Sequence, residues 1–139
     1  MVSEERILAV DYGQKHIGLA CTDEMGLTVR PLPSVRNRGT PNLIKILRGT
    51  IQNLCIRKVV WGIPIGMDGS LGDAAANMQK ILEAVQAGLG VPLVGFDERL
   101  STVEALEFWR KMSPKQQKKY RTVDSLAAAL ILERYLREN

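Results

Sequence analysis

Three acidic positions adjoin apolar segments of the chain. Asp11 follows residues 7–10, the pair Asp97 and Glu98 ends a second apolar run, and Asp124 precedes an alanine-rich segment. A carboxylate that is buried without a partner costs several kcal/mol, so an interior one must be paired, hydrogen-bonded or bound to a metal. The ordinary alternatives are that Asp11 starts a turn, that the acidic pair is solvated, and that Asp124 caps a helix.

These carboxylates could converge at one end of a sheet and bind metal ions. Ligand sets made only of oxygen select Mg²⁺ or Mn²⁺, and two such ions ~4 Å apart can drive phosphodiester hydrolysis without a histidine. Successive residues of a strand face opposite ways, so only one of Asp97 and Glu98 can face such a site. Periodicity alone does not choose between them.

The positive charge is concentrated directly before Asp124. The formal net charge is +4, and residues 110–121 hold six basic side chains and no acidic one. This segment predicts a phosphate-binding patch, with a solvated loop between two helices as the alternative. In a nuclease, Lys118, Lys119 and Arg121 would bind the phosphate backbone.

Length and composition indicate one globular domain, residues 1–139. Apolar residues make up 45% and charged residues 24% of the chain, and no apolar run is long enough to cross a bilayer. Without a secretory signal, and with Cys21 and Cys55 interpreted as reduced core thiols, we expect a cytoplasmic protein. A single histidine, His16, argues against a Cys/His metal cluster.

The predicted order of elements is β-β-β-α-β-α-β-α-α. Residues 7–22 form a hairpin, and Pro31 and Pro33 assign the third strand to an edge. Thr40 is predicted to cap the first helix. Residues 110–121 link the last two helices. Three antiparallel strands followed by βα units predict an α/β fold, with a mixed five-stranded sheet flanked by helices, similar to the ribonuclease H-like fold.

Four motifs in order resemble the YqgF (RuvX) family over residues 7–136. They are Asp11-Tyr-Gly13 with Lys15 and residues 17–20, residues 62–64 with 67–70, residues 97–102, and residues 124–128. Members are described as Holliday junction resolvases and as nucleases that mature the precursor of small-subunit ribosomal RNA.

The resemblance implies a metal site of Asp11, Glu98 and Asp124. Glu98 is selected because related resolvases have a glutamate at the end of the equivalent strand. Nucleic-acid contacts are implied near Lys15, Arg99 and the basic segment with Lys115, Lys118, Lys119 and Arg121. The chain departs from the family where His16 replaces the usual arginine, and where residues 73–76 offer no arginine.

We therefore expect a nuclease that uses Mg²⁺ or Mn²⁺ in a two-metal mechanism. Its expected substrate is the 5′ end of pre-16S rRNA, with ribosomal precursor particles as partners. One alternative is a Holliday junction resolvase acting on branched DNA, and another is a non-catalytic nucleic-acid-binding factor in ribosome assembly or transcription. A nucleotide-dependent phosphotransferase is disfavoured, because related actin-like enzymes enclose the nucleotide between two such domains.

Overall fold

The fold was analysed in a computed structural model that describes residues 5–63, 73–97, 101–120 and 123–138. Strands and helices follow one another in the predicted order, with one additional helix. The elements are β1 (Arg6–Asp11), β2 (His16–Thr22), β3 (Val29–Arg36), α1 (Thr40–Leu54), β4 (Ile56–Ile63), α2 (Asp73–Leu89), β5 (Leu93–Asp97), α3 (Ser101–Lys111), α4 (Pro114–Tyr120) and α5 (Val123–Glu138).

The five strands form one mixed sheet in the order β3-β2-β1-β4-β5. The pairs β1–β2 and β2–β3 are antiparallel, whereas β4 pairs parallel with both β1 and β5. The predicted sheet is thereby confirmed, including the edge position of the strand with Pro31 and Pro33. Proline lacks an N–H to donate, so an edge strand tolerates it better than a central one.

The central strand β1 is covered on both faces. Leu8 and Val10 belong to the core formed with α1 and α2. Ile7 and Ala9 belong to the core formed with α5. Alternate residues of a strand face opposite sides, so Asp11 belongs to the same series as Ile7 and Ala9. Its position in the strand assigns it to the face that α5 covers.

Helix α5 lies against the antiparallel half of the sheet, and small side chains let it approach closely. Ala128 and Ala129 are buried in its interface with the sheet. Near the far end of the helix, the Lys58 Nζ donates a hydrogen bond of 3.1 Å to the hydroxyl of Tyr135. This hydrogen bond raises the pKa of Lys58 above its ordinary value. The C-terminal part of α5 is thus bonded to β4.

The basic segment differs from its prediction as a link, because part of it forms helix α4. Ser113 caps this helix: its hydroxyl accepts from the Gln116 N–H at 3.3 Å, and the Gln116 side chain accepts from the Ser113 N–H at 3.2 Å. This reciprocal pair is a capping box. The side chain of Gln117 also donates to the carbonyl of Trp109 at 2.7 Å, which ties α4 to α3.

Two further predictions are corrected by the structure. Cys55 is exposed rather than in the core, because it ends α1 in the left-handed conformation with φ 56°; Cys21 is buried as predicted. The N-cap of α1 is Gly39 rather than Thr40, and it makes no side-chain cap bond. Among the described helices, none has the length and apolarity that crossing a membrane requires.

Candidate active site

The first candidate ligand, Asp11, ends β1 beside a glycine of the neighbouring strand. Asp11 is directly opposite Gly18 in the antiparallel ladder between β1 and β2. Residues that are directly opposite in a ladder have their side chains on the same face. Ala20, two residues after Gly18, packs in the core with α5. Asp11 and Gly18 therefore share the face that α5 covers.

Gly18 is the point where the start of α5 contacts the sheet. A Cβ added to Gly18 would collide with the backbone carbonyl of Asp124 and would lie 3.1 Å from the Asp124 Cβ. A glycine is required here by the close approach of two backbones rather than by an unusual φ. The contact brings Asp124 against the strand pair that ends at Asp11.

Asp124 is the second residue of α5, so the helix-cap interpretation does not hold for it. The next residue, Ser125, is fully buried, and its hydroxyl donates a 2.6 Å hydrogen bond to the carbonyl of Leu32. The ladder between β2 and β3 shifts register between Ile17 and Leu19, directly around Gly18. Such an irregularity exposes strand carbonyls that are not used in the ladder. The first turn of α5 therefore packs on Gly18 of β2 and on the irregular part of the ladder between β2 and β3.

The third predicted ligand, Glu98, lies outside the described residues, as does Arg99. The strand that precedes them ends at Asp97, which is opposite Ile63 in the parallel ladder between β4 and β5. Within the described ranges, no three Asp, Glu, His or Cys side chains are close enough to hold a metal ion together. Of the predicted ligands, the structure describes Asp11 and Asp124, and both lie next to Gly18.

Of the predicted phosphate-binding side chains, the structure describes those of Lys15, Lys115 and Lys118. Lys15 is exposed in the turn between β1 and β2, and Lys115 and Lys118 are exposed on α4. The Lys119 side chain and Arg121 fall outside what the structure describes. Beneath α4, Trp109 and Tyr120 pack against a small core that includes Leu126 of α5. Helix α4 therefore contacts α5, the helix whose second residue is Asp124.

A second group of cations was missed by the charge analysis. Arg36 and Arg38 are exposed at the end of β3, and Arg36 is directly opposite His16. The signal was present in the sequence, because residues 25–67 contain seven basic side chains and no acidic one. The segment escaped notice because its cations are dispersed among apolar residues instead of forming a run.

Comparisons with solved structures agree with this architecture. Thermus thermophilus RuvC in complex with a Holliday junction substrate matches with a TM-score of 0.60, over 97% of this chain and 96% of that chain, at 16% identity. The fowlpox virus resolvase in complex with Holliday junction DNA also gives 0.60, over 96% and 97%, at 16% identity. The fold of the chain is therefore ribonuclease H-like.

Sequence comparisons identify the family within this class. A family model described as RuvX, Holliday junction resolvase, matches residues 5–138. A relative from Syntrophus aciditrophicus is 37% identical over 131 residues, covering 94% of this chain and 87% of the relative. One from Clostridioides difficile is also 37% identical, covering 94% and 93%. Both are named "Putative pre-16S rRNA nuclease". The chain therefore belongs to the RuvX family.

Proposed function

We propose that this chain is a metal-dependent nuclease that hydrolyses phosphodiester bonds with a site made of Asp11, Glu98 and Asp124. The observation that carries the proposal is the contact between Gly18 and Asp124. It brings a carboxylate from the start of α5 to the strand pair that ends at Asp11. Carboxylate oxygens are hard ligands, which suits Mg²⁺ or Mn²⁺.

The alternation of faces along β5 supports Glu98 as the third ligand. Val94 and Phe96 pack in the core shared with α5. By the alternation of the sequence, position 98 has the parity of Val94 and Phe96, and position 97 has the parity of Leu93 and Gly95. This parity supports Glu98 over Asp97, in agreement with the choice implied by the family resemblance.

The carboxylates of Asp11, Glu98 and Asp124 would hold two metal ions. When bound, the two ions activate a water molecule and stabilise the leaving oxygen of the phosphodiester. Lys15, Arg99, Lys115, Lys118, Lys119 and Arg121 would bind phosphates on either side of the bond to be cut. Their role is to orient the strand, because a cation that contacts only the backbone carries no sequence information.

The substrate that we propose is the 5′ end of pre-16S rRNA, presented in ribosomal precursor particles in the cytoplasm. Support comes from the names of relatives that are 37% identical over nearly the whole chain. The second candidate is a four-way DNA junction, which the family description and two structural neighbours favour. A symmetric junction requires two active sites and therefore a dimer, whereas cutting one RNA strand does not.

A cleavage assay with both substrates tests the proposal. Wild type, Asp11→Asn and Asp124→Asn are compared in Mg²⁺ and in Mn²⁺ on a pre-16S rRNA 5′ end and a synthetic four-way junction. Glu133→Gln is the matched control, because it removes an exposed carboxylate elsewhere on α5. Even the partners of metal ligands contribute about 10–100-fold to affinity or activity, so loss of a ligand should slow cutting at least ~100-fold.

The two substrates and the control give distinct outcomes. Metal-dependent cutting of the rRNA, lost in both Asn variants and kept in Glu133→Gln, supports the proposal. Cutting of the junction alone assigns the second substrate. Calorimetric titration with Mn²⁺ separates a nuclease from a non-catalytic binding protein. Metal binding that is unchanged in Asp11→Asn, with no cutting of either substrate, would contradict a metal site at this position.

A further inference from the structure

Exposed basic side chains of two neighbouring strands lie at the same end of the sheet as Asp11. We propose that Lys15, His16 and Arg36 form a phosphate-binding track that extends from the candidate metal site across β2 to β3. The track would hold the nucleic-acid strand at phosphates next to the one that is cut. This inference rests on the proposed function and adds to it Arg36 of the edge strand, which the sequence motifs do not mark.

The ladder places the track on the correct face. His16 has the same parity on β2 as Gly18 and Ala20, which are on the α5 face, and Arg36 is directly opposite His16. Val35, the residue before Arg36, packs on the other face with the α1 and α2 core. Arg36 and His16 therefore share a face with Asp11 and Asp124. Strands are ~4.8 Å apart, so Arg36 begins about 10 Å from β1, a distance that suits a neighbouring phosphate.

Hydrogen bonds hold the end of β3 against the turn that follows Asp11. The Asn37 side chain donates to the Gly13 carbonyl at 2.9 Å, and the Asn37 N–H donates to the Lys15 carbonyl at 2.8 Å. A side chain on Gly13 would collide with the His16 carbonyl, so this turn is tight. The backbone that carries the three basic residues is therefore fixed before any substrate binds. Such preorganisation lowers the entropy cost of binding.

The charges of the track are available for a ligand. Lys15, His16 and Arg36 are all exposed, and within the described part of the chain neither Lys15 nor Arg36 makes an ion pair. No acidic side chain occurs from residue 25 to residue 67 that could neutralise them. The alternative explanation is that Arg36 protects the exposed edge of the sheet, because charged side chains on an edge strand discourage pairing with another sheet.

Two arginines of the same edge strand distinguish these explanations. Arg36 lies at the site end of β3, and Arg30 is equally exposed at the other end, opposite Cys21. Six residues of strand separate them by about 20 Å. Arg36→Ala and Arg30→Ala remove the same charge from the same strand, so Arg30→Ala is the matched control for net charge and for edge protection.

The experiment measures binding without cutting. A fluorescently labelled single-stranded RNA from the 5′ end of pre-16S rRNA is titrated at several KCl concentrations in EDTA. For single strands the slope of log K against log salt changes by about 0.7 per phosphate contact. In Arg36→Ala, the slope of log K against log salt should be less steep by about 0.7. In Arg30→Ala, the slope should keep its wild-type value. Thermal unfolding of both variants by circular dichroism checks that each is folded.

The phosphate-binding track and the proposed nuclease site can be contradicted separately. An unchanged slope in Arg36→Ala would overturn the track, as would equal decreases in Arg36→Ala and Arg30→Ala, which indicate a general charge effect. If wild type cuts RNA in Mg²⁺ while Arg36→Ala binds as wild type does, only the track is wrong. A slope lowered by Arg36→Ala alone, with no cutting by wild type, would keep the track and remove the proposed nuclease site.

Discussion

Gly18 supplies no functional group, yet the position of Asp124 depends on it. The contact is made by backbone atoms of α5, which cannot rotate away as the end of a long side chain can. A methyl group at this position must therefore push the first turn of α5 away from β2. We expect Gly18 to be a positioning residue whose replacement separates Asp124 from Asp11.

The variant Gly18→Ala tests this at the scale of one methyl group. Overpacking costs typically ~1–3 kcal/mol of stability, and here it should also weaken Mn²⁺ binding. Gly88→Ala is the control, because its Cβ would lie 2.8 Å from the Ile44 Cγ2 in the interface of α1 with α2. Urea unfolding gives the loss of stability, and calorimetry gives the metal affinity of each folded variant.

A weaker metal affinity in Gly18→Ala alone is the expected result. If both variants lose stability and both bind Mn²⁺ as wild type does, Gly18 serves packing only and does not position the site.

Some site residues can be predicted from sequence and others cannot. Asp11 and Asp124 stand out because an acid beside an apolar segment needs a physical reason. Gly18 was visible within a motif, but its role required the contact with α5, which is distant in sequence. Arg36 was missed because only the ladder brings it opposite His16.

At the scale of elements, the order of strands and helices along the chain was predictable, because apolar segments mark the strands and proline marks the edge strand. The helix α4 was missed because it has seven residues and few apolar side chains. Isolated helices of this length are not stable in water. Two hydrogen bonds stabilise it: the Ser113 hydroxyl accepts from the Gln116 N–H, and the Gln117 side chain donates to the carbonyl of Trp109. The second bond depends on the end of α3.

Helix α4 should therefore act as a rigid carrier of phosphate-binding side chains. The double change Lys118→Ala with Lys119→Ala should lower the slope of log K against log salt for single-stranded RNA by about 0.7 for each phosphate that the variant no longer neutralises. The matched control is Lys45→Ala with Lys80→Ala, which removes two charges from exposed positions of α1 and α2. Equal slopes for the two double variants would exclude α4 from the binding surface.

Across the whole molecule, exposed cations lie on β3 and on α4, two elements that pack against β2 and α5 respectively. Arg36 belongs to the edge strand and Lys118 to α4, and the described structure shows no bonding partner that they share. A nucleic-acid strand that passes over Asp11 and Asp124 would contact the cations of both elements.

Independent contacts should contribute additively to binding. For changes at well-separated sites, free energies add within about 0.3–0.5 kcal/mol. The combination of Arg36→Ala with Lys118→Ala should therefore weaken binding by the sum of the two single effects, measured from Kd in EDTA at one salt concentration. If the double variant binds as tightly as the single variant with the higher Kd, both cations contact one phosphate region.

The order of the elements along the chain also determines when the candidate site can exist during protein synthesis. Asp11 is made in the first strand, whereas Asp124 belongs to α5, which follows every strand of the sheet. A nascent chain that has not yet extended to α5 can pair its strands but lacks the carboxylate beside Gly18. A nuclease for ribosomal RNA precursors that is made on a ribosome would thus gain its cutting site only after the whole sheet has been translated.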